Sequence, residues 1–374
     1  MGQATRPTVL IVDDNPDQLR PLENDLRSQV NVETVDPAEV TQQNLSAADL
    51  VLVDLILDDW IARGAPAPLA NRPRDGLALA TVLRSHATAR RNPPVKAFAI
   101  LSGRLDEVSP ALPPVLREHA LARLSNLEWV FHKGDAAGLP DRIRSLSHAV
   151  RELPKTWPVR KKGTFMKLIG LNPDAPWAQR AWQDVEACYP PVHELSDPIH
   201  GLTLLRWLLH RILRYPCFVW DMYALAARFR VSHQSLKDEF GRNKRLQALL
   251  SEFQFKGILA DFLGPRWWRS GAENFVWEIT DGAPSDSESI QKHLSRRTRA
   301  RLLPAGDPHP VVCLDADLRP METFYSPEQA VRIQPDDWPP FADQAWTTIE
   351  LASQVPSLRA LVIQQDRERL QNLD

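Results

Sequence analysis

Cysteine is nearly absent: 374 residues hold only Cys188, Cys217 and Cys313, far apart and odd in number. That excludes a disulfide framework and, with no CxxC pair, a cysteine zinc site; it fits a reducing compartment. No apolar run reaches the roughly 18 residues that a membrane span needs. The amino-terminal MGQATRPTVLIVDD also lacks the charged-then-apolar order of a secretory signal. A cytoplasmic location without a membrane partner is therefore expected. Neither sign of charge prevails: 45 Lys and Arg against 47 Asp and Glu leave a net −2, so no global basic field calls for nucleic acid. The second half has no GxxxxGK(S/T) loop, HD pair, GxSxG elbow or metal-spaced His/Cys set, and His193 and His200 stand isolated. No enzyme is read there.

What the chain does have is unevenly placed. Of 12 tryptophans, 10 follow residue 151, and the 32 prolines are many, so the second part differs in architecture from the first. The length suffices for two or three domains, each with its own core.

The first 150 residues alternate strand and helix signals. Residues 8–12 are a β-branched apolar run ending at Asp13-Asp14-Asn15-Pro16, with Asn15 placed to cap a following helix. Leu19, Leu22, Leu26 and Val30 recur at helical spacing. A short strand at 32–35 and a weak helix near 37–45 follow. Leu50 to Val53 and Leu55 then enclose Asp54 in a run suited to a strand buried on both faces. An unpaired carboxylate within such a strand is costly, so Asp54 belongs at its carboxyl end. Leu77, Leu79, Ala80 and Leu83 mark a helix entered at Asp75-Gly76. Strands at 95–101 and 127–131 end at Ser102-Gly103 and at His132-Lys133-Gly134, and a last helix covers about 139–153.

This alternation predicts a doubly wound parallel sheet, and right-handed crossovers put every strand's carboxyl end on one edge. Asp13, Asp14, Asp54, Ser102 and Lys133 then converge. Three adjacent carboxylates repel one another, so a hard divalent cation, Mg²⁺, is expected among them. A carboxylate so flanked is suited to attack a phosphoryl group, with Lys133 as the point cation and Ser102 as a hydroxyl donor.

Taken together, VLIVDDN, the VDL around Asp54, RDG at 74–76, LSG at 101–103 and HKG at 132–134 resemble the receiver domain of two-component response regulators. The resemblance covers about residues 6–152. It implies a flavodoxin-like five-stranded fold in which Asp54 accepts phosphate from a histidine kinase or phosphotransfer protein. It also implies Mg²⁺ on Asp13, Asp14, Asp54 and the backbone carbonyl of Ile56, a switch hydroxyl on Ser102, a phosphate-binding Lys133, and homodimerisation through the receiver. Four features depart from the family. An insertion rich in Pro, Ala and Arg lies within 58–74. The segment after Ser102 is long and carries Pro110, Pro113 and Pro114. Gly134 stands where proline is usual, and Val130 occupies the position often held by an aromatic switch residue, one step from Phe131.

The expected division is a receiver at 1–153, a linker at 154–163 and a mostly α-helical, Trp-rich effector with a few short strands at 164–374, with 300–374 as a candidate subregion. Helices are predicted at 177–188 and at 201–213; the latter puts Leu202, Leu205, Leu208, Leu209 and Ile212 on one side and Arg206, His210 and Arg214 on the other. Residues 221–240 resemble a helix-turn-helix whose second helix carries His233, Gln234 and Ser235 toward bases but also Asp238 and Glu239 toward phosphate. A continuous helix is predicted at 246–263. Trp267 and Trp268 between Arg266 and Arg269 read either as a stacking site for a nucleotide or as core. Arg296, Arg297, Arg299 and Arg301 form a short basic cluster. Further on, strands are predicted at 308–314 and 330–333, and helices at 345–352 and 358–370. The expected output is binding of an effector partner protein, with DNA binding, or a nucleotide-sensing or uncatalogued enzymatic effector, as the alternatives.

Overall fold

The computed structural model describes residues 6–60, 73–89, 95–135, 138–154, 162–190, 201–282 and 287–371. The bulk of the 58–74 insertion, most of the 154–163 linker, and His193 and His200 lie outside them. By internal contacts the chain divides into two units, neither contiguous in sequence. The first takes 1–169, 191–210 and 257–263; the second takes the rest.

The first unit is built on five strands. These are β1 (Thr8–Val12), β2 (Asn31–Val35), β3 (Leu50–Asp54), β4 (Ala97–Ser102) and β5 (Trp129–His132), ordered β2-β1-β3-β4-β5. Every pairing is parallel. The helices are α1 (Arg20–Leu26), α2 (Gln42–Ala47), α3 (Gly76–Thr88), the short α4 (Leu105–Val108), α5 (Pro114–Leu124), α6 (Leu139–Glu152) and α7 (Lys162–Leu168). The chain next forms α8 (Ala178–Ala187) of the second unit and α9 (Gly201–Trp207) of the first. β3 is central because all five of its residues are apolar or terminal, and all are buried. α3 turns Leu79, Ala80, Leu83 and Ala87 onto this core, and the Asp75 carboxylate caps it by accepting from the Ala78 amide at 2.9 Å. Asn15 does not act as a side-chain cap. Its amide instead donates to Asp13 Oδ1 at 2.8 Å, and the following turn, Pro16–Leu19, is 3₁₀.

In the second unit, β6 (Val219–Trp220) is followed by α10 (Met222–Arg228), α11 (His233–Arg242) and α12 (Lys244–Ser251). Then come β7 (Trp267–Trp268), α13 (Arg269–Ile279) and α14 (Ser287–Thr298). Leu225, Phe229, Leu236, Leu250, Trp267 and Phe275 share its larger core. A smaller core joins the antiparallel pair β8 (Ala330–Ile333) and β9 (Ala345–Thr348) to α15 (Ile349–Gln354) and α16 (Pro356–Leu361). The chain closes on α17 (Glu368–Gln371).

Several sequence expectations are corrected here. The helix expected over 246–263 stops at Ser251, because Phe253 and Phe255 alternate along an extended stretch bonded to the Trp267–Trp268 segment. Residues 345–352 divide into β9 and α15 at Thr348, whose hydroxyl caps the helix by accepting from the Leu351 amide. The 308–314 strand is reduced to isolated bridges at Val311, Cys313 and Leu314. The helix at 358–370 breaks between α16 and α17. Trp267 and Trp268 are fully buried, and Arg266 donates to the Leu213, Gly264 and Pro265 carbonyls, so this motif is core and not a stacking platform.

Candidate functional site

Three acids gather at the carboxyl edge of the five-stranded sheet. Asp13 and Asp14 follow β1, Asp54 ends β3, and one oxygen of each lies within 4.8 Å of the others. Parallel pairing sets this up. Val12 is level with Val53, so the residues just after them meet at the same height. Lys133 follows β5 and bridges inward: its Nζ lies 3.0 Å from Asp13 Oδ2 and 3.0 Å from Asp54 Oδ1. Its backbone amide donates to the Ser102 carbonyl at 2.8 Å, which fixes the lysine's base against β4.

The electrostatics are unbalanced, with one ammonium against three carboxylates. Burial pushes the Asp54 carboxyl up to about 6; Lys133 opposes that rise and the charges of Asp13 and Asp14 add to it. Asp14 is also raised, by burial first, although it accepts from the Asp59 amide at 2.6 Å. Burial acts to lower the Lys133 ammonium, but Asp54 and Asp13 outweigh it and hold the lysine above its ordinary value. Clustered hard oxygen donors with surplus negative charge fit a small divalent cation.

Gly76 sets how close α3 comes to Asp54. A Cβ there would lie 1.8 Å from the Asp54 backbone oxygen and 2.7 Å from its carbonyl carbon, so only glycine admits this approach. Ser102 is buried one register step beyond the Asp54–Leu101 pair, and its Oγ accepts from the Arg104 amide at 3.1 Å. Ile56 packs at the edge of the core beside this loop. Val130 and Phe131 are both buried, and the Arg142 guanidinium lies 5.6 Å from the Phe131 ring centre.

The residues proposed to meet DNA bases are arranged otherwise. His233 is buried, stacked on Tyr223 with ring centres 3.7 Å apart, and its Nδ1 lies 2.6 Å from Glu322 Oε2. Ser235 is buried too: its hydroxyl donates to the Ser232 carbonyl and accepts from the Leu303 amide. Gln234 is exposed and bonds Asp238. The face of α11 read as a base-contacting edge is thus largely turned inward.

A 2-1-3-4-5 parallel sheet with acids after its first and third strands and a lysine after its fifth defines a flavodoxin-like fold of the receiver type. The first unit has that fold, and a mainly helical region follows it. No protein-family model and no curated protein matches the chain. Among solved structures it is similar to the isolated REC domain of RcsB from Salmonella enterica serovar Typhimurium, at 18% identity over 38% of this chain and 90% of that one (TM-score 0.26). It is also similar to the response regulator RcsB in a DNA complex, at 16% identity over 56% and 92% (TM-score 0.27). A third similarity is to ChrA, a response regulator of a heme-sensing two-component system, at 15% identity over 69% and 95% (TM-score 0.24). Among the described residues no helix is long and apolar enough to cross a membrane.

Proposed function

We propose that this protein is a cytoplasmic response regulator whose Asp54 accepts a phosphoryl group from a histidine kinase or phosphotransfer protein. The observation that carries the reading is Lys133, whose Nζ touches both Asp13 and Asp54 at 3.0 Å while Asp14 completes an oxygen cluster around them. In the reaction an Asp54 oxygen attacks phosphorus, the phosphorus–nitrogen bond of the phosphohistidine breaks, and the imidazole leaves and takes up a proton. Asp13, Asp14, Asp54 and the Ile56 carbonyl would hold Mg²⁺, which when bound would supply positive charge to the transferring oxygens. Lys133 exchanges a carboxylate for a phosphoryl oxygen, and Ser102, whose Oγ accepts from the Arg104 amide, turns its hydroxyl proton toward the new group. The phosphorylated side chain carries roughly −1.5 to −2 charge where the carboxylate carried −1, in an already acidic pocket, and the lysine answers that change.

For the output we favour an interaction with a partner protein. The buried His233 and Ser235 remove two of the three side chains that a DNA reading relied on. Incubation with acetyl phosphate and Mg²⁺, followed by intact-mass measurement, tests the acceptor. Wild type is expected to gain one phosphoryl group and Asp54→Ala none; equal masses would end the proposal.

A further inference from the structure

β5 is an outer strand of the sheet, and its flank is closed by chain from far along the sequence. Segments 201–210 and 257–263 both belong to the first unit. The anchor of 201–210 is Glu128, one residue before β5, whose carboxylate is fully buried. One oxygen accepts from the Phe98 amide at 2.5 Å. The other accepts from Arg206 Nε at 2.9 Å and Nη2 at 2.5 Å. The same guanidinium reaches Asn126, donating to its side-chain oxygen at 2.5 Å and to its carbonyl at 2.9 Å. Trp129 comes next: His210 stacks parallel to it at 5.6 Å and Phe262 meets it edge-on at 5.0 Å. Glu118 of α5 holds the Trp129 indole N–H at 3.1 Å, accepts from the His132 amide at 3.2 Å, and is gripped by both terminal nitrogens of Arg142.

A buried carboxylate is costly unless paired, and Arg206 is its main partner; Arg84 stands further off, at 3.8 Å. Helix α9 thus fills a prepared surface with an anion beside an aromatic shelf, complementary to an amphipathic helix that carries one arginine. β5 also ends one residue before Lys133, the residue that spans Asp13 and Asp54. A displacement of that lysine acts directly on the strand that holds the docked helix.

We propose that the β5 face is a docking surface for an arginine-bearing helix, that its occupant is the chain's own segment 201–210, and that this segment reads the state of the aspartate site in cis. The readout rests on the phosphoacceptor proposal; the docking does not. Phosphorylation of Asp54 draws Lys133 off Asp13, shifts β5 and loosens 201–210. Residue 211, where the chain passes into the second unit, is one step beyond that segment.

Hydrogen exchange on the full chain, read by mass spectrometry, tests both parts. Arg206→Ala is expected to raise amide exchange in 201–210 about tenfold or more, as for a local opening whose anchor is lost, while β1 and β3 stay protected. Glu128→Gln, which keeps an acceptor for the Phe98 amide, is expected to do the same, with Arg206→Lys intermediate. Unchanged protection in both Arg206→Ala and Glu128→Gln overturns the docking. With acetyl phosphate and Mg²⁺, exchange in 201–210 is expected to rise in wild type and not in Asp54→Asn. Labelled wild type with no such rise overturns the readout. Failure of Asp54 to gain mass sinks the acceptor reading, and the readout with it, while the Arg206 variants still decide the docking. Protection that falls on dilution, together with dimers by light scattering, would put 201–210 on a second copy and overturn the assignment in cis.

Discussion

In metal-free buffer at pH 7.5, Asp54→Asn is expected to be more stable than the wild type, and the difference is expected to vanish near pH 4. Burial raises the folded-state Asp54 carboxyl from its ordinary 3.8 to about 6, a shift worth about 3 kcal/mol. Below pH 3.8 the group is protonated in both the folded and unfolded chains, so it has no effect. Between 4 and 6 the unfolded chain ionises first, and stability falls as pH rises through that window. Above 6 the full penalty is present. Asparagine never bears it, and a cation binding the three acids relieves it in the wild type by favouring the folded state. Urea titrations at pH 4 and pH 7.5, in EDTA and in excess Mg²⁺, measure this. A difference that ignores pH, or a wild type that is the more stable at pH 7.5 in EDTA, would refute the electrostatic account of the site.

The second large effect belongs to Gly76. Replacing it with alanine drives a methyl group into the Asp54 carbonyl and to within 2.9 Å of Leu55 Cα, all backbone atoms that cannot rotate aside. Either α3 lifts from β3 or the loop after Asp54 moves. A loss of about 2–3 kcal/mol in stability is expected, the usual cost of overpacking a tight contact. Acetyl phosphate labelling should slow by up to about a hundredfold, because a shift near 1 Å at the acceptor is enough for that. Gly103→Ala is the control: nothing lies within 4 Å of a Cβ there, so both properties should hold. If the two variants behave alike, close approach of α3 is not what positions Asp54.

The aspartate cluster was legible in the sequence because each member closes an apolar run. Asp13 and Lys133 each follow, and Asp54 ends, a strand whose residues are almost entirely buried, and parallel pairing brings such ends together. The surroundings of β5 were not legible, for a physical reason. Helical periodicity on 201–213 separates Leu205, Leu209 and Ile212 from Arg206 and His210, and the polar side of a helix is ordinarily the wet one. Here Arg206 turns to a buried carboxylate and His210 to an indole, partners some 80 residues earlier that local pattern cannot reveal. One signal was available: Glu128 interrupts the apolar run of 127–131, and a charge there asks for a distant counter-ion. Residues 345–352 carried a similar hint, since Thr347 and Thr348 are β-branched where a helix was expected, and Thr348 is the cap between β9 and α15.

The discontinuity of the first unit also constrains how it can be made. During synthesis residues 128–132 emerge well before 201–210 and 257–263, so until those follow Trp129 lacks His210 and Phe262, and Glu128 lacks Arg206. Full cooperativity of this unit is expected only once residue 263 is available. A chain cut at 153 keeps all five strands but leaves Glu128 only the more distant Arg84, at 3.8 Å, beside a bare indole, and is expected to self-associate more readily than the intact chain.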